Sequence, residues 1–379
     1  MSTETTHQFE YNRFHSHLYM AFDLGETSWK LGFTIGFGQP PRIRTIRARD
    51  LQAIQQEIQA AKKRFGLPEE ALVLSCYEAG RDGFWLHRYL CSLGIENQIV
   101  DASSIEVNRK ARRAKTDRLD VRKLLSMRMR YQQGEHKVWS VVNIPSPEAE
   151  DRRHLHRDLK RLIAERTQHT NRMKGLLIAH GLQVSVTKEF LQDLETLHLW
   201  DGSRLPPELR SRLQREYQRY LLVQAQIKAL EQERLDLIRS SQRADIAMVR
   251  QLMRLKGIGV CSAWMFVMEF FAWRSFQNRR QIGALMGLTP TPYQSGDEDH
   301  EQGISKAGNS MVRATAVQIA WGWLQHQPQS KLSRWYQQRF SQGSKRLRKI
   351  GIVALARKLM IDCWRFLETG QVPEGAVLK

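Results

Sequence analysis

HLYMAFDLGETSWKLGFTIGF, residues 17–37, decides the fold of the first part of the chain. Two apolar runs flank Gly25-Glu26-Thr27-Ser28, a pattern that predicts two strands joined by a tight turn. PRIRTIRA (41–48) continues as a third strand, and LQAIQQEIQAAKKRF (51–65) carries Leu51, Ile54, Ile58 and Ala61 on one side of an amphipathic helix. ALVLSCY (71–77) is a short apolar strand, RDGFWLHRYLCSLG (81–94) a helix and NQIVDA (97–102) a further strand. Residues 1–144 therefore form an α/β domain with an antiparallel start and a parallel continuation.

The strand signal then stops. One helix is expected from Ser146 to Gly181, with Ser146 as N-cap and Pro147 at the first helical position. In 207–240, Leu213, Tyr220 and Ile227 recur at heptad spacing, interleaved with Val223, Leu230 and Leu237, and Arg234 interrupts the seam. Such a seam fits an intermolecular coiled coil or an intramolecular hairpin with the 146–180 helix equally well. A helical region thus spans 145–245, and a mainly helical, aromatic-rich domain spans 246–379. There, LMRLKGIGVCSAWMFVMEF resembles a helix-hairpin-helix, in which Gly257 and Gly259 allow a tight turn beside Lys256 and helix-start amides can hold a phosphate. GALMGLTPTPYQSGDEDHEQGISKAGNSMVR (283–313) is a Gly/Pro-rich polar stretch, too long for an ordinary connector.

Charge narrows the partners. Lys plus Arg number 59 against 39 Asp plus Glu, a net +20, and the isoelectric point is near 10.1. That imbalance favours nucleic acid. A membrane is the poorer partner, because no apolar run approaches the roughly 20 residues of a spanning helix and the N-terminus has no signal-peptide core. A cytoplasmic protein is expected, nucleoid-associated when bound to DNA. The cysteines, Cys76, Cys91, Cys261 and Cys363, are too scattered for a disulfide framework or structural zinc. His15 with His17 and His154 with His156 are short-spaced pairs of the kind that more often face solvent than metal.

RKARRAKTDRLDVRK (109–123) sets Asp117 and Asp120 among eight lysines and arginines, including Arg112, Arg113, Lys115 and Arg118. The cations suit a polyphosphate, whereas phosphate would be repelled by the paired carboxylates unless a divalent metal lay between them. Asp23 ends the first strand and Glu78 follows a buried-looking one. Asp117 and Asp120, three apart, share one helix face. Four carboxylates from these elements could converge on Mg2+ or Mn2+, the hard-oxygen site that phosphodiester chemistry uses. Taken singly, each has an ordinary role: Asp23 at a turn, Glu78 paired with Arg81, Asp117 or Asp120 at a helix start.

The order Asp23, Glu78, then KTDRLD with Asp117 and Asp120, resembles the Asp-Glu-Asp-Asp tetrad of RuvC-like insertion-sequence transposases, the Piv-invertase-related, bridge-RNA-guided recombinases. LKGIG, GLTP, QSG and GISKAGN recur in that family's order, and NRMKGLLIAHGL (171–182) is similar to its middle region. The resemblance implies an N-terminal RuvC/RNase H-like catalytic domain, a helical coiled-coil region and a C-terminal transposase domain. It further implies that Ser295 is a nucleophile that forms a phosphoserine bond with DNA. Gly303, Lys306, Gly308 and Asn309 would shape the loop or touch the DNA backbone, with Arg313 a candidate phosphate contact. The implied partners are donor and target DNA, a noncoding bridge RNA and a homodimer or homotetramer. The rival reading is a RuvC-like metal-dependent junction nuclease using water attack. The basic run SKRLRK (344–349) is either a nucleic-acid contact or a solvated face, and the acidic Asp297, Glu298, Asp299 and Glu301 after Ser295 are unexpected beside DNA.

Overall fold

In the computed structural model, residues 17–106, 117–295 and 298–379 are described, with the backbone alone at 117–118, 293–295 and 298–302. The chain divides into two compact units, Met1–Ile144 and Pro145–Lys379.

The first unit is built on strands β1 (His17–Leu24), β2 (Ser28–Thr34), β3 (Arg42–Arg47), β4 (Leu72–Glu78) and β5 (Glu96–Val100). Their spatial order is β3-β2-β1-β4-β5. The β1–β2 and β2–β3 pairs are antiparallel, β1–β4 and β4–β5 parallel. Period-two alternation sorts the side chains between two cores. Leu18, Met20 and Phe22 pack against Ile54 and Ile58 of α1 (Leu51–Arg64) and Leu86 and Leu90 of α2 (Trp85–Ser92). Tyr19 and Ala21 face the other way, onto Val121, Leu124 and Leu125 of α3 (Asp117–Gln132).

Helix α3 lies close on the sheet because Gly32 has no side chain. A Cβ there would meet Val121 Cγ1 at 2.3 Å and Leu125 Cδ1 at 2.9 Å. The far end of α3 is tied down by Arg128, fully buried, whose Nη2 donates to Glu96 Oε1 at 2.6 Å. Helix α2 begins later than the pattern predicts, at Trp85, because Gly83 adopts φ +66° in the preceding turn.

In the second unit, α4 (Pro147–Asp151) starts as predicted, with Ser146 accepting from Ala149 N at 3.2 Å. The single helix expected over 146–181 is broken. The break falls at Arg152 and Arg153, where Arg152 reaches Asp245 at 3.3 Å and buried Arg153 lies over the Trp273 ring at 5.1 Å. Helix α5 (His154–Ile178) then leads to α6 (Phe190–Thr196) and the long α7 (Pro207–Ser240). The apolar seam of α7 packs within the chain, Leu159 and Leu162 of α5 against Val223 and Ile227, and Met173 and Leu177 against Leu213 and Tyr217. Arg234 does not end the seam, since the helix continues and buries it.

Beyond α7 come α8 (Ala244–Met253), α9 (Val260–Phe266) running into a π-helical turn at Val267–Phe271, and α10 (Arg279–Leu285). The stretch expected to be an irregular loop is a β-hairpin, β6 (Pro290–Ser295) with β7 (Glu298–Ile304). It then enters α11 (Ser310–His326), α12 (Lys331–Phe340) and α13 (Lys345–Thr369). Both strands are too polar to show alternation, so the hairpin had no periodic signature. Among the described residues no helix is long and apolar enough to cross a membrane.

Candidate active site

Asp23 and Glu78 come together through strand register. Phe22 pairs with Tyr77 across the parallel β1–β4 ladder, so the next residues on each strand, Asp23 and Glu78, stand side by side at the carboxyl ends. Phe22 and Tyr77 belong to the core beneath α1 and α2, so by alternation the two acids face α3. Asp120, in the first turns of α3, completes the arrangement. Asp23, Glu78 and Asp120 line one pocket of about 300 Å³, together with Asp82 and Arg81.

The charges in this pocket are not equally satisfied. Asp82 is neutralised by Arg49, whose Nη2 lies 3.0 Å from Oδ1. Arg81 pairs with Glu26 at 3.5 Å, so it does not serve Glu78. Among the described residues neither Glu78 nor Asp120 makes an ion pair. The donors are all hard oxygens, the kind Mg2+ or Mn2+ takes. Among the described residues, however, no three His, Cys, Asp or Glu close into a metal-holding array. Asp117 is the first residue of α3, one turn before Asp120, and is described by its backbone alone. Asp82 was not singled out from the sequence, although its place in the turn after a strand-end glutamate was a usable signal.

In the second unit, Ser295 is the last residue of β6 and pairs by backbone with Glu298 at the hairpin tip. The base of that hairpin is a crossing of two backbones. Gly287 (φ +65°) leaves room for Ala307 O, 2.1 Å from where a Cβ would stand, and Gly308 (φ +73°) leaves room for Leu285 O at 1.9 Å. Lys306 N donates to Gly287 O at 3.1 Å and Ser305 N to Thr289 O at 2.9 Å. GLTP and GISKAGN are thus two halves of one joint. Lys306 is exposed and held at φ +56°, a left-handed conformation that strains a non-glycine residue.

Asn309 caps α11 as predicted, accepting from Met311 N at 2.9 Å and Val312 N at 3.2 Å. Arg313 is turned inward. Its Nη1 donates to Met286 O and Ala307 O, both at 3.1 Å, so the guanidinium braces the joint from inside.

A residue that sequence reasoning passed over governs this frame. Glu269, 1% exposed in the π-helical turn, accepts from His156 Nε2 at 2.8 Å, from Arg157 Nε and Nη2 at 2.6 and 2.9 Å, and from Asn309 Nδ2 at 3.1 Å. Burial alone would raise its pKa, but the hydrogen bonds from His156 and Arg157, with the charge of Arg157, bring it down to about 2. One carboxylate therefore joins α5, the π turn and the N-cap of α11. An acid inside the apolar run WMFVMEFF was the available clue, because a buried charge requires partners. His156 is committed to Glu269 while His154 is exposed, so the pair forms no shared ligand site.

The KGIG turn takes the predicted tight form, with Gly257 at φ +97° and Lys256 exposed. Its backbone is occupied by the chain itself. Gln327 Nε2 donates to Lys256 O at 2.8 Å, and Lys256 N donates to Val377 O at 3.1 Å. Gly259 begins α9 with no side-chain cap and open space around its Cα. Arg112, Arg113, Lys115, His15 and Asp297 lie outside the described residues, and nothing is described of the Arg118 side chain.

Residues 249–337, which span the KGIG turn, the joint and the hairpin, match the transposase family described as IS116/IS110/IS902. Over 377 residues the chain is 39% identical to y4rJ of Sinorhizobium fredii, a protein that carries a transposase name, covering 96% of this chain and 94% of that one. It is 27% identical over 236 residues to the transposase for insertion sequence element IS1328 of Yersinia enterocolitica, covering 61% of this chain and 68% of the relative. Identity to the transposase for insertion sequence element IS1111A of Coxiella burnetii is 25% over 245 residues, 63% of each chain.

Proposed function

The chain belongs to the IS116/IS110/IS902 transposase family, and from that premise we propose that it cleaves and rejoins DNA with a carboxylate site in its first unit and Ser295 as nucleophile. The observation that carries this reading is the convergence of Asp23, Glu78 and Asp120 on one pocket at the carboxyl ends of parallel strands. Ligand sites in open α/β sheets lie at such strand ends. The β3-β2-β1-β4-β5 order, antiparallel then parallel, supports the RuvC/RNase H-like reading of this unit.

Asp23, Glu78 and Asp120, with Asp117, would hold Mg2+ or Mn2+. When bound, the ion supplies the positive charge that lets a phosphate approach several carboxylates. Ser295 Oγ forms a bond to phosphorus as one P–O bond of the DNA breaks. The hydroxyl proton passes through solvent to the departing DNA oxygen. The reverse exchange with a new DNA end restores the serine and leaves the number of phosphodiester bonds unchanged, so no external energy source is required. Guidance by a bridge RNA and assembly as a dimer or tetramer belong to the same proposal.

Denaturing electrophoresis of the protein after incubation with labelled element-end DNA and Mg2+ tests it. A covalent adduct that maps to Ser295 and vanishes in Ser295→Ala is expected. If Ser295→Ala still cuts DNA at the wild-type rate, the serine mechanism is wrong and water attack at the carboxylate site takes its place.

A further inference from the structure

A groove of about 1110 Å³ runs between the base of the β6–β7 hairpin and the first turns of α13. Its floor is apolar, formed by Leu288, Ile304, Ile350 and Val353. Its rim is basic, formed by Lys345, Arg346, Lys349 and Arg357, and among the described side chains the lining holds no carboxylate. Lys345, Arg346 and Lys349 are exposed, and Ile350 is 48% exposed in the middle of them. Among the described residues none of the four cations forms an ion pair. Of the acidic residues of β7, Glu298 and Asp299 lie toward the other end of the ladder, and Glu301 pairs by backbone with Pro292, nearer the groove. Glu298 and Asp299 pair by backbone with Ser295 and Gln294, while the groove meets the hairpin at Pro290 and Ile304.

We propose that this groove grips the backbone of the DNA strand next to the phosphate presented to Ser295. The inference rests on the reading of Ser295 given above and adds a surface to it. Charge complementarity selects a polyanion. Among the described side chains the lining holds no aromatic ring on which an unpaired base could stack and no amide or carboxylate to read a base edge, which favours contact with phosphates and sugars. Position selects DNA. The five residue steps from Pro290 to Ser295 span roughly 16 Å, the rise of about five duplex base steps. A duplex strand held in the groove therefore continues along the hairpin to the serine.

The test uses the full chain and the triple variant K345Q/R346Q/K349Q, whose exposed positions leave the core intact, as an unchanged thermal melt verifies. Affinity for a 20-base-pair DNA duplex (about two helical turns) and for an RNA duplex of equal sequence is measured across a salt series. The variant should bind DNA on the order of tenfold more weakly at low salt, with a salt slope shallower by about 3, near 0.9 for each phosphate no longer neutralised. A photocrosslinker at Ile350 should mark DNA within roughly five nucleotides of the cut phosphate, the reach set by the strand. Unchanged DNA affinity and slope, a loss confined to RNA, or crosslinks scattered along the duplex would overturn the proposal. The Ser295 adduct, assayed separately in the wild-type protein, reports on the nucleophile whichever way the groove behaves.

Discussion

Glu269 and the pair Glu78 and Asp120 are all acids of a strongly basic chain, held in opposite conditions. Glu269 is buried and accepts from His156, Arg157 and Asn309, so its oxygens are committed to the protein. Glu78 and Asp120 line an open pocket and, among the described residues, make no ion pair. A carboxylate committed to buried partners builds the fold, and one that lines an open pocket is available for chemistry. The same residue type is thus divided between structure and function by its partners, with no difference in its intrinsic properties.

Exchanging the roles gives the sharpest test. Asp120→Ala and Glu78→Ala should each reduce strand cleavage by about 10²-fold or more, while urea unfolding shifts by no more than about 0.5 kcal/mol. A large loss of stability in either variant would place these acids with Glu269. Glu269→Ala should do the converse and cost about 3–5 kcal/mol, because it leaves the Arg157 charge and the buried His156 without their acceptor. If its unfolding midpoint is unchanged, the buried network is not holding the second unit together.

Two glycines probe how each site is supported. Gly308→Ala sets a methyl group against Leu285 O and forces φ +73° on alanine. It should cost about 1–3 kcal/mol or somewhat more, with the Ser295 adduct lost alongside. Gly32→Ala presses on Val121 and Leu125 and should cost about 1–3 kcal/mol, with cleavage falling because Asp120 moves with α3. Retention of full cleavage in Gly32→Ala would show that the position of α3 does not set the carboxylate site.

The smallest effect expected is in pH. The Glu269 carboxyl titrates at about 2 in the folded chain, below the usual 4.5. Its contribution is therefore fully present above pH 4.5 and is lost as pH falls toward 2. The Glu216 carboxyl, which burial would raise but which His169 and Arg172 bring below its ordinary value, acts with the same sign. Glu269→Gln should flatten the acid limb of the stability profile in that window, and an unchanged limb would show that this carboxyl does not link folding to pH.

Much of this was legible in the residues. The central strands β1 and β4 are legible as continuous apolar runs, because they are buried on both faces, and the caps at Ser146 and Asn309 follow from side chains that serve the first turn of a helix directly. The carboxylates were legible as strand-end and helix-start acids. The β6–β7 hairpin was not, since its polar strands lack alternation. Arg313 read as a candidate phosphate contact, and only the fold turns its guanidinium onto Met286 and Ala307.

The sequence by itself determined most of the local elements of this protein, the β6–β7 hairpin and the break at Arg152 and Arg153 apart, together with its basic charge. Only the tertiary structure decided which acids meet. The Phe22–Tyr77 register sets Asp23 beside Glu78, and the absence of a side chain at Gly32 lets α3 bring Asp120 to them. It also decided that Glu269 is an anchor, because its partners lie 113, 112 and 40 positions away in the chain. Periodicity and capping are properties of neighbouring residues, whereas partnership of a charge depends on strand register and close packing across the whole unit.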